Sequence, residues 1–455
     1  MTLPFPHSVE RVLRGRVLSF HADPRLVGPE RSHRYIEDGL VVIAEGRIAA
    51  VGEAKDLLRH ISPGVPIDDH AGRLILPGFI DTHIHYPQTR VIASYGEQLL
   101  EWLQKYTFVE EQKLRQQGHA AHVADFFFDE LMRQGTTTAV VYCSVHPESV
   151  EAFFAESARR GTRMIAGKVM MDRNAPEGLR DTADSGYQES RALLQKWHGN
   201  GRQLYAITPR FAITSTPEQL EAAGTLAREF PDAYVQTHLG ENLAEIELVK
   251  QLFPSAKTYT DVYARHDLLG PKSIFGHCIY LEESEVEALA ESRSIAAFCP
   301  TSNLFLGSGL FNMERLQQRE KPVRVGIATD VGGGTSYSML QTANEAYKIL
   351  QMQGQRWPVL QAFYAMTRGN AAVLGLEDRI GSLERGREAD MVVLDARATP
   401  AMAHRMECID GNLAEELFLL MILGDDRCVT ETYVAGKPMK SKQPERRSKL
   451  LADVT

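Results

Sequence analysis

Four histidines and one aspartate in this 455-residue chain have the side-chain types and the spacing of a metal site. His83 and His85 form a His-x-His pair, and in extended chain residues i and i+2 point to the same side. His238, His277 and Asp330 each follow a separate short apolar run. Three neutral imidazoles and a carboxylate suit one Zn²⁺ ion, and Fe²⁺ would also fit. Zinc lowers the pKa of a bound water to about 7, so the pattern predicts hydrolytic chemistry.

Each of these residues also has a structural explanation when it is taken alone. The His-x-His pair can be incidental, His277 can be a core histidine, and Asp330 before Val331 and three glycines can form a turn. Because all of them fall at the ends of separate apolar runs, the set as a whole favours a metal site over a purely structural interpretation.

The elements that must position these residues alternate through residues 73–375. Eight short, nearly continuous apolar runs predict parallel strands that are buried on both faces, at 74–80, 136–142, 163–171, 204–207, 233–237, 273–276, 294–298 and 323–328. Amphipathic helical patterns, such as 119–133, lie between most of them. The alternation indicates an α/β fold, either a right-handed (β/α)₈ barrel or a doubly wound sheet, and the count of eight favours the barrel. The strand ends would then meet at one rim, where such barrels keep their active sites.

Both chain ends and the overall composition add further expectations. Short apolar runs broken by turn residues predict strands at 16–20, 39–51, 389–394 and 428–434. Hydrophobic residues make up 44% and charged residues 24%, as in globular proteins, and the net charge of −9 argues against general nucleic-acid binding. No apolar run is long enough for a membrane helix, and residues 1–18 do not resemble a signal peptide. Five scattered cysteines suggest a reducing, cytoplasmic location.

Two longer motifs carry a resemblance to a family. Residues 77–85, Pro-Gly-Phe-Ile-Asp-Thr-His-Ile-His, and residues 381–394, Gly-Ser-Leu-Glu-Arg-Gly-Arg-Glu-Ala-Asp-Met-Val-Val-Leu, resemble the amidohydrolase superfamily of metal-dependent hydrolases. The resemblance implies a (β/α)₈ TIM-like barrel at residues 73–379. It also implies a small β-sandwich domain built from both chain ends, residues 1–72 and 380–455.

The same resemblance implies a subtype and its site residues. Binuclear members bridge two metals with a lysine at the end of strand four, but here that strand ends in Thr208-Pro209-Arg210. A mononuclear, deaminase-like site is therefore expected. The resemblance implies that the metal is held by His83, His85, His238 and Asp330. Asp330 would also act catalytically, with His277 beside the nucleophilic water and Glu241 as proton shuttle. Glu241 could alternatively be an acid that faces the dipole of a helix N-terminus.

Several local runs resemble the guanine deaminases within that superfamily. These runs are residues 85–88, 99–108, 209–211 and 238–242. The resemblance implies that the substrate is a small purine, guanine, and that it is hydrolysed to xanthine and ammonia in purine catabolism. The implied substrate-binding residues are His85, Tyr86, Pro87, Gln88, Arg210, Phe211, His238, Leu239, Gly240, Glu241 and Asp330.

The residue types suit a planar neutral ring. Phe211 can stack on it, Arg210 can donate to its O6 and N7 edge, and Gln88 offers both a donor and an acceptor. Arg210 could instead form an ion pair at the barrel rim, and Phe211 could simply pack in the core. For Trp102 and Phe108, packing of a lid or helix is the preferred interpretation.

The same residues are compatible with other functions. The metal residues act on water, so the same fold could serve a deaminase or chlorohydrolase of another azine, such as a pterin, an 8-oxopurine or a triazine. A non-catalytic scaffold is a third interpretation, although such proteins usually lack the ligands that are present here. The resemblance also implies a homodimer without nucleic-acid or membrane partners.

Overall fold

The computed structural model describes residues 9–96 and 98–440, and these contain two sheets that differ in strand direction. The strands are, in chain order, β1 (Arg11–Phe20), β2 (His33–Ala44), β3 (Arg47–Glu53), β4 (Ile67–Pro77), β5 (Phe79–His85), β6 (Thr136–Tyr142), β7 (Arg163–Gly167), β8 (Val169–Met170), β9 (Leu204–Pro209), β10 (Tyr234–Leu239), β11 (Ser273–His277), β12 (Ile295–Phe298), β13 (Arg324–Ile327), β14 (Met391–Leu394), β15 (Val429–Val434) and β16 (Lys437–Pro438).

Helices separate most of the strands in the middle of the chain. They are α1 (Pro24–Val27), α2 (Ala54–Leu57), α3 (Leu99–Trp102), α4 (Phe108–Glu111), α5 (Gln117–Arg133), α6 (Pro147–Arg160), α7 (Ala183–Trp197), α8 (Pro217–Glu229), α9 (Leu243–Leu252), α10 (Tyr259–Ala264), α11 (Glu283–Glu291), α12 (Pro300–Phe305), α13 (Met313–Gln317), α14 (Met339–Met352), α15 (Val359–Tyr364), α16 (Asn370–Leu374), α17 (Pro400–Met406) and α18 (Leu413–Leu423). Among these described helices, none combines the length and the apolar character needed to cross a membrane.

One sheet is built from both ends of the chain. Its seven strands are ordered β16-β15-β14-β4-β1-β2-β3, with β1 parallel to β4 and the other pairs antiparallel. Its core combines buried residues from distant parts of the sequence, among them Leu13, Val41, Ile75 and Val393. The predicted small β domain formed by the two chain ends is therefore confirmed, and its strands form a single mixed sheet.

The other sheet is a nearly closed barrel of parallel strands in the order β5-β6-β7-β9-β10-β11-β12-β13, and the short β8 pairs with β9. Most of these strands are buried at every position, because both faces of the sheet are covered. The first and last strands approach each other: the Thr82 hydroxyl donates to the Ile327 carbonyl over 3.1 Å, and the Asp330 amide donates to the His83 carbonyl over 2.9 Å. The predicted (β/α)₈ barrel is confirmed.

The predicted first barrel strand at 74–80 is wrong in its boundaries. Residues 74–77 belong to β4 of the terminal sheet, and the barrel begins with β5 at Phe79. Gly78 separates the two strands, and its amide donates to the Asp390 carbonyl over 3.0 Å. A Cβ at Gly78 would lie 2.2 Å from Thr137 Oγ1, so the chain passes closer to its neighbour here than a side chain allows. His83 and His85 consequently lie within a strand, not after it.

The described chain divides into two compact units. One contains residues up to 80, 129–137 and those from 358 onward, and the other contains residues 81–128 and 138–357. Every site residue predicted from the sequence lies in the second unit.

Candidate active site

The predicted metal ligands converge at the carboxyl ends of the barrel strands. The Nε2 atoms of His83 and His85 each lie 3.3 Å from Asp330 Oδ1, and His85 Nε2 lies 3.3 Å from His238 Nε2. Ligating atoms of His83, His85 and His238 all lie within 4.8 Å of one another. Residues that are up to 247 positions apart in the sequence thus share one small volume.

The chemistry of this cluster fits a divalent cation. His83 Nε2 and His85 Nδ1 are buried nitrogens without a hydrogen-bond partner among the described residues. Burial lowers the pKa of His85 to about 3, and burial with the neighbouring imidazoles holds the pKa of His238 well below its usual value. Burial alone would raise the pKa of Asp330, but the His83 and His85 imidazoles hold it well below its usual range. His85 and His238 therefore offer neutral imidazoles and Asp330 an ionised carboxylate, which are the forms that bind metals.

Cys299 lies within ligating range of the same cluster but does not suit a ligand. Burial raises the pKa of its thiol well above the usual value, and its Sγ donates to the Ala297 carbonyl over 3.4 Å. A protonated thiol is a poor metal ligand, because the thiolate is the form that binds.

Backbone geometry orients the cluster. His277 and Asp330 have φ values of 71° and 51°, in the left-handed region that residues with a Cβ rarely adopt. Such strain is retained mainly where the surrounding structure holds a functional geometry. Gly276 supplies a close approach, because a Cβ there would lie 2.7 Å from Cε1 of His83. The imidazole of His83 therefore lies directly against the backbone of β11.

Asp81 links β5, which carries His83, to the segment after β13, which carries Asp330. Its Oδ1 accepts from the backbone amides of His83 over 3.2 Å and of Thr329 over 3.1 Å, and the Thr329 hydroxyl donates to Oδ2. Burial raises the pKa of Asp81 to about 6, while these hydrogen bonds oppose the shift. The carboxyl group thereby ties the end of β5 to the segment after β13.

Glu241 is buried beside the cluster. Its Oε2 lies 3.3 Å from His277 Nε2, and its Oε1 accepts a hydrogen bond from Ser308 Oγ over 2.8 Å. Burial, with the nearby charge of Asp330, raises the pKa of Glu241 to about 8. At neutral pH the group can therefore hold a proton and release it, as a general acid or base requires.

The segment after β12 holds both His277 and Glu241. Asn303 Oδ1 lies 2.9 Å from His277 Nδ1, and the Ser308 amide donates to the Asn303 carbonyl over 2.9 Å. Glu245 supports Glu241 from another direction, because its Oε2 accepts the Glu241 backbone amide over 2.8 Å. Asn303, Ser308 and Glu245 were not singled out from the sequence, since each has an ordinary loop or helix-capping pattern there.

A cavity opens onto the cluster. Its lining residues are His85, Gln88, Leu99, Trp102, Leu103, Arg210, Phe211, His238, Glu241, His277, Leu306, Asp330 and Gly333. This combination of an apolar wall with a few polar groups is typical of a small-molecule site. Trp102 is buried and also lines the cavity, so it both packs in the fold and forms part of the site.

Arg210 and Gln88 are held by a residue that the sequence did not reveal. Glu111 is fully buried, and its carboxylate accepts from Arg210 Nη1 over 3.0 and 2.8 Å and from Gln88 Nε2 over 2.9 Å. The Arg210 guanidinium also lies over the Phe108 ring, 5.4 Å from its centroid. Arg210 thus forms the ion pair that the sequence allowed, and it also lines the cavity. Glu111 follows Glu110 in a polar helical pattern, so nothing in the sequence separates it from a surface acid.

Four of the residues expected to bind substrate do not line this cavity, namely Tyr86, Pro87, Leu239 and Gly240. Tyr86 is buried in the core, with its ring against Phe127 and Phe153 and its hydroxyl donating to the Ser149 carbonyl. The carbonyls of Leu239 and Gly240 accept backbone hydrogen bonds from the segment after His277. These residues flank the lining residues in sequence without lining the cavity themselves.

Lys168 takes no part in the cluster. It interrupts the strand predicted at 163–171, and its ammonium group lies 2.5 Å from Asp181 Oδ2 and 3.3 Å from Glu189. A buried ion pair of this kind occupies the charge of Lys168 and indicates a structural role.

Comparisons with known proteins agree with this geometry. Residues 74–439 match the amidohydrolase family. The chain is 51% identical to the guanine deaminase of Escherichia coli K12 over 404 residues, which cover 89% of this chain and 91% of that protein. The solved structure of E. coli guanine deaminase superposes with a TM-score of 0.92 at 48% identity, covering 94% of this chain and 99% of that one. A guanine deaminase from C. acetobutylicum, solved with guanine in its active site, superposes with a TM-score of 0.82 at 26% identity over 94% of this chain and 99% of that one.

Proposed function

Because this chain belongs to the amidohydrolase family, we propose that its site hydrolyses guanine to xanthine and ammonia, in the breakdown or salvage of purines. The reaction breaks a C–N bond of a cyclic amidine and makes the protein a hydrolase. One observation carries the proposal: three members of the histidine–aspartate cluster line the same cavity as the buried Glu241 and the residues Gln88 and Arg210. These three are His85, His238 and Asp330.

We propose that His83, His85, His238 and Asp330 hold one divalent cation per chain, Zn²⁺ by default and Fe²⁺ as the other candidate. When bound, such an ion lowers the pKa of a water molecule to about 7 and so supplies hydroxide at neutral pH. The buried Nε2 of His83, 3.3 Å from Asp330 Oδ1, and the depressed pKa values of His85 and His238 support this assignment.

The proton transfers fall to Glu241 and Asp330. With its pKa raised to about 8, Glu241 carries a proton that it can deliver to N3 of the purine, which makes C2 electrophilic. Asp330 accepts a proton from the attacking water and passes it to Glu241, which has by then given its own proton to N3. Glu241 then protonates the amine that leaves from C2, and it regains a proton from the hydroxyl group on C2 as the C–N bond breaks. His277, 3.3 Å from the Glu241 carboxyl group, is positioned to steady the new oxygen on C2 in the tetrahedral intermediate.

Binding of the ring falls to the wall of the cavity. Phe211, which is buried and part of that wall, provides a stacking face. Arg210 donates to the O6 and N7 edge, and Gln88 meets the amide edge of the ring. Four further residues lie beside these in the chain but do not line the cavity, and we propose that they support the lining residues. They are Tyr86, Pro87, Leu239 and Gly240.

The remaining expectations concern the surroundings of the enzyme. We expect a homodimer in the cytoplasm, with no nucleic-acid or membrane partner. Support comes from the acidic net charge and from five cysteines that form no disulfide, four of them buried.

A panel of aminated heterocycles tests the proposal. Purified, metal-replete protein is incubated with guanine, an 8-oxopurine, a pterin and an aminotriazine, and the released ammonia is measured for each. We expect guanine to be turned over with the highest kcat/KM. A higher value for another ring would replace guanine as the substrate, and no release from any ring by metal-loaded protein would refute a deaminase.

A further inference from the structure

We propose that Glu111 is a positioning residue that determines which purine edge the site accepts, because it sets the direction of the Gln88 amide and of the Arg210 guanidinium. The inference rests on the proposed function and extends it, since it explains how the site separates a 6-oxopurine from a 6-aminopurine.

Glu111 is well placed for this role. It is fully buried at the end of α4, and it contacts both residues that we assign to the polar edge of the substrate. The Ser144 hydroxyl donates to its backbone carbonyl over 3.0 Å, so its backbone is held as well. A buried carboxylate with strong hydrogen bonds to an arginine has little freedom to move.

A carboxylate imposes a direction on a neighbouring amide. Ionised Glu111 can only accept hydrogen bonds, so the Gln88 side chain must turn its Nε2 toward it, as observed at 2.9 Å. Gln88 Oε1 is then left as the acceptor for a ligand. Arg210 uses Nη1 for Glu111 and retains its other N–H groups as donors. The cavity therefore presents an acceptor from Gln88 and donors from Arg210.

This pattern distinguishes two classes of purine. Guanine carries an N1–H donor beside an O6 acceptor, which complements the pattern. A 6-aminopurine carries an N1 acceptor beside a 6-amino donor, so it would place an acceptor against Gln88 Oε1 and a donor against Arg210. A site that is built to hydrogen-bond one edge rejects the reversed edge strongly, because its buried polar groups are left unpaired.

The test compares Glu111→Gln with wild type on guanine and on 2,6-diaminopurine, which bears the same leaving amine on C2 but has the reversed edge. Glutamine both donates and accepts, so the Gln88 amide is free to turn over. We expect kcat/KM for guanine to fall by about 10- to 100-fold, the value of one or two charged hydrogen bonds. The ratio of guanine to 2,6-diaminopurine kcat/KM should fall by at least about 10-fold, at unchanged metal content.

A matched control lies one residue away. Glu110 is on the same helix and pairs with Lys113, whose side chain is largely exposed, so Glu110→Gln makes the same chemical change outside the cavity. We expect the Glu110→Gln variant to keep both the wild-type kcat/KM and the wild-type ratio.

An equal loss on both substrates, with the ratio preserved, would show that Glu111 is merely structural and would overturn the inference. If Glu111→Gln does not fold, Gln88→Met decides the question, since it removes the oriented amide at similar size: the ratio should fall, and an unchanged ratio would overturn the inference. Failure of the wild-type protein to act on guanine is a separate result, which refutes the proposed function itself.

Discussion

Glu241 is the residue on which the proposed chemistry depends most. It sits in a fully buried position between His277 and Ser308, and burial raises its pKa to about 8. A carboxyl group in ordinary surroundings would have lost its proton at neutral pH, near an unperturbed value of about 4.3. The environment thus converts a common acid into a proton carrier at physiological pH.

Replacement of Glu241 by Gln tests this role directly. The amide keeps the size of the side chain but cannot carry the proton, so kcat should fall by about 10²–10⁴-fold while the metal content stays near one ion per chain. Metal analysis and guanine turnover of the same preparation check both parts.

The control for this variant is Glu247→Gln, on the exposed face of α9. It should leave kcat unchanged. Wild-type turnover in Glu241→Gln would disprove the shuttle assignment.

The sequence predicted the residues of the histidine–aspartate cluster better than the residues that hold the side chains around it. His83, His85, His238 and Asp330 have distinctive types at recognisable strand ends, so they could be found without coordinates. Glu111, Asn303 and Ser308 have common types in polar stretches, and their importance comes from which side chains they reach across the fold. Contacts between residues distant in sequence are not encoded in any local pattern.

The strand ends of the barrel carry the site. β5 ends with His85, β10 carries His238 as its penultimate residue, and β11 ends with His277. The chain after β13 reaches Asp330 three residues beyond the strand. Asp330, which follows the eighth barrel strand, reaches the cluster because it adopts a positive φ and because its amide donates to the His83 carbonyl. The site therefore requires the correct register of β5 within the barrel.

Gly78 controls where β5 begins, and its replacement by Ala tests that role. The new Cβ would lie within 3 Å of three atoms of the Thr137 side chain, which is almost fully buried and has little space to move. We expect Gly78→Ala to lower the free energy of unfolding by about 1–3 kcal/mol, the usual cost of overpacking. Thermal or denaturant unfolding measures the effect.

Gly118 in α5 provides the comparison for that experiment. A Cβ there would meet nothing within 4 Å, and alanine favours a helix, so Gly118→Ala should leave stability unchanged or raise it by up to about 1 kcal/mol. Equal stability of the two alanine variants would contradict the close approach at Gly78.

Strands and helices were predicted correctly where the apolar pattern was strong. The prediction failed where one apolar run continued while the chain passed from one sheet to the other. The apolar run 74–80 gave no sign that the chain leaves one sheet for another at Gly78. At the start of α8, Thr216 and Gln219 have the residue types of a capping box. Thr216 accepts from the Gln219 amide over 3.2 Å, but the Gln219 side chain does not complete the box. It donates to Asp181 instead, a tertiary contact that outweighs the local one.

For the whole molecule, the central claim is that four distant side chains hold one cation that makes guanine hydrolysis possible. The cluster spans residues 83–330, so it forms only when the barrel is complete. Two of its buried nitrogens, His83 Nε2 and His85 Nδ1, have no hydrogen-bond partner among the described residues. A buried polar atom without a partner is costly, which is the physical reason to expect a resident ion.

The most direct measurement is guanine turnover as a function of bound metal. The protein is depleted with a chelator and titrated with Zn²⁺, and xanthine and ammonia are followed together. We predict that depletion abolishes turnover, that activity returns in proportion to zinc up to one equivalent per chain, and that each guanine yields one xanthine and one ammonia. Full turnover by thoroughly depleted protein, or intact guanine with the metal site filled, would contradict the account.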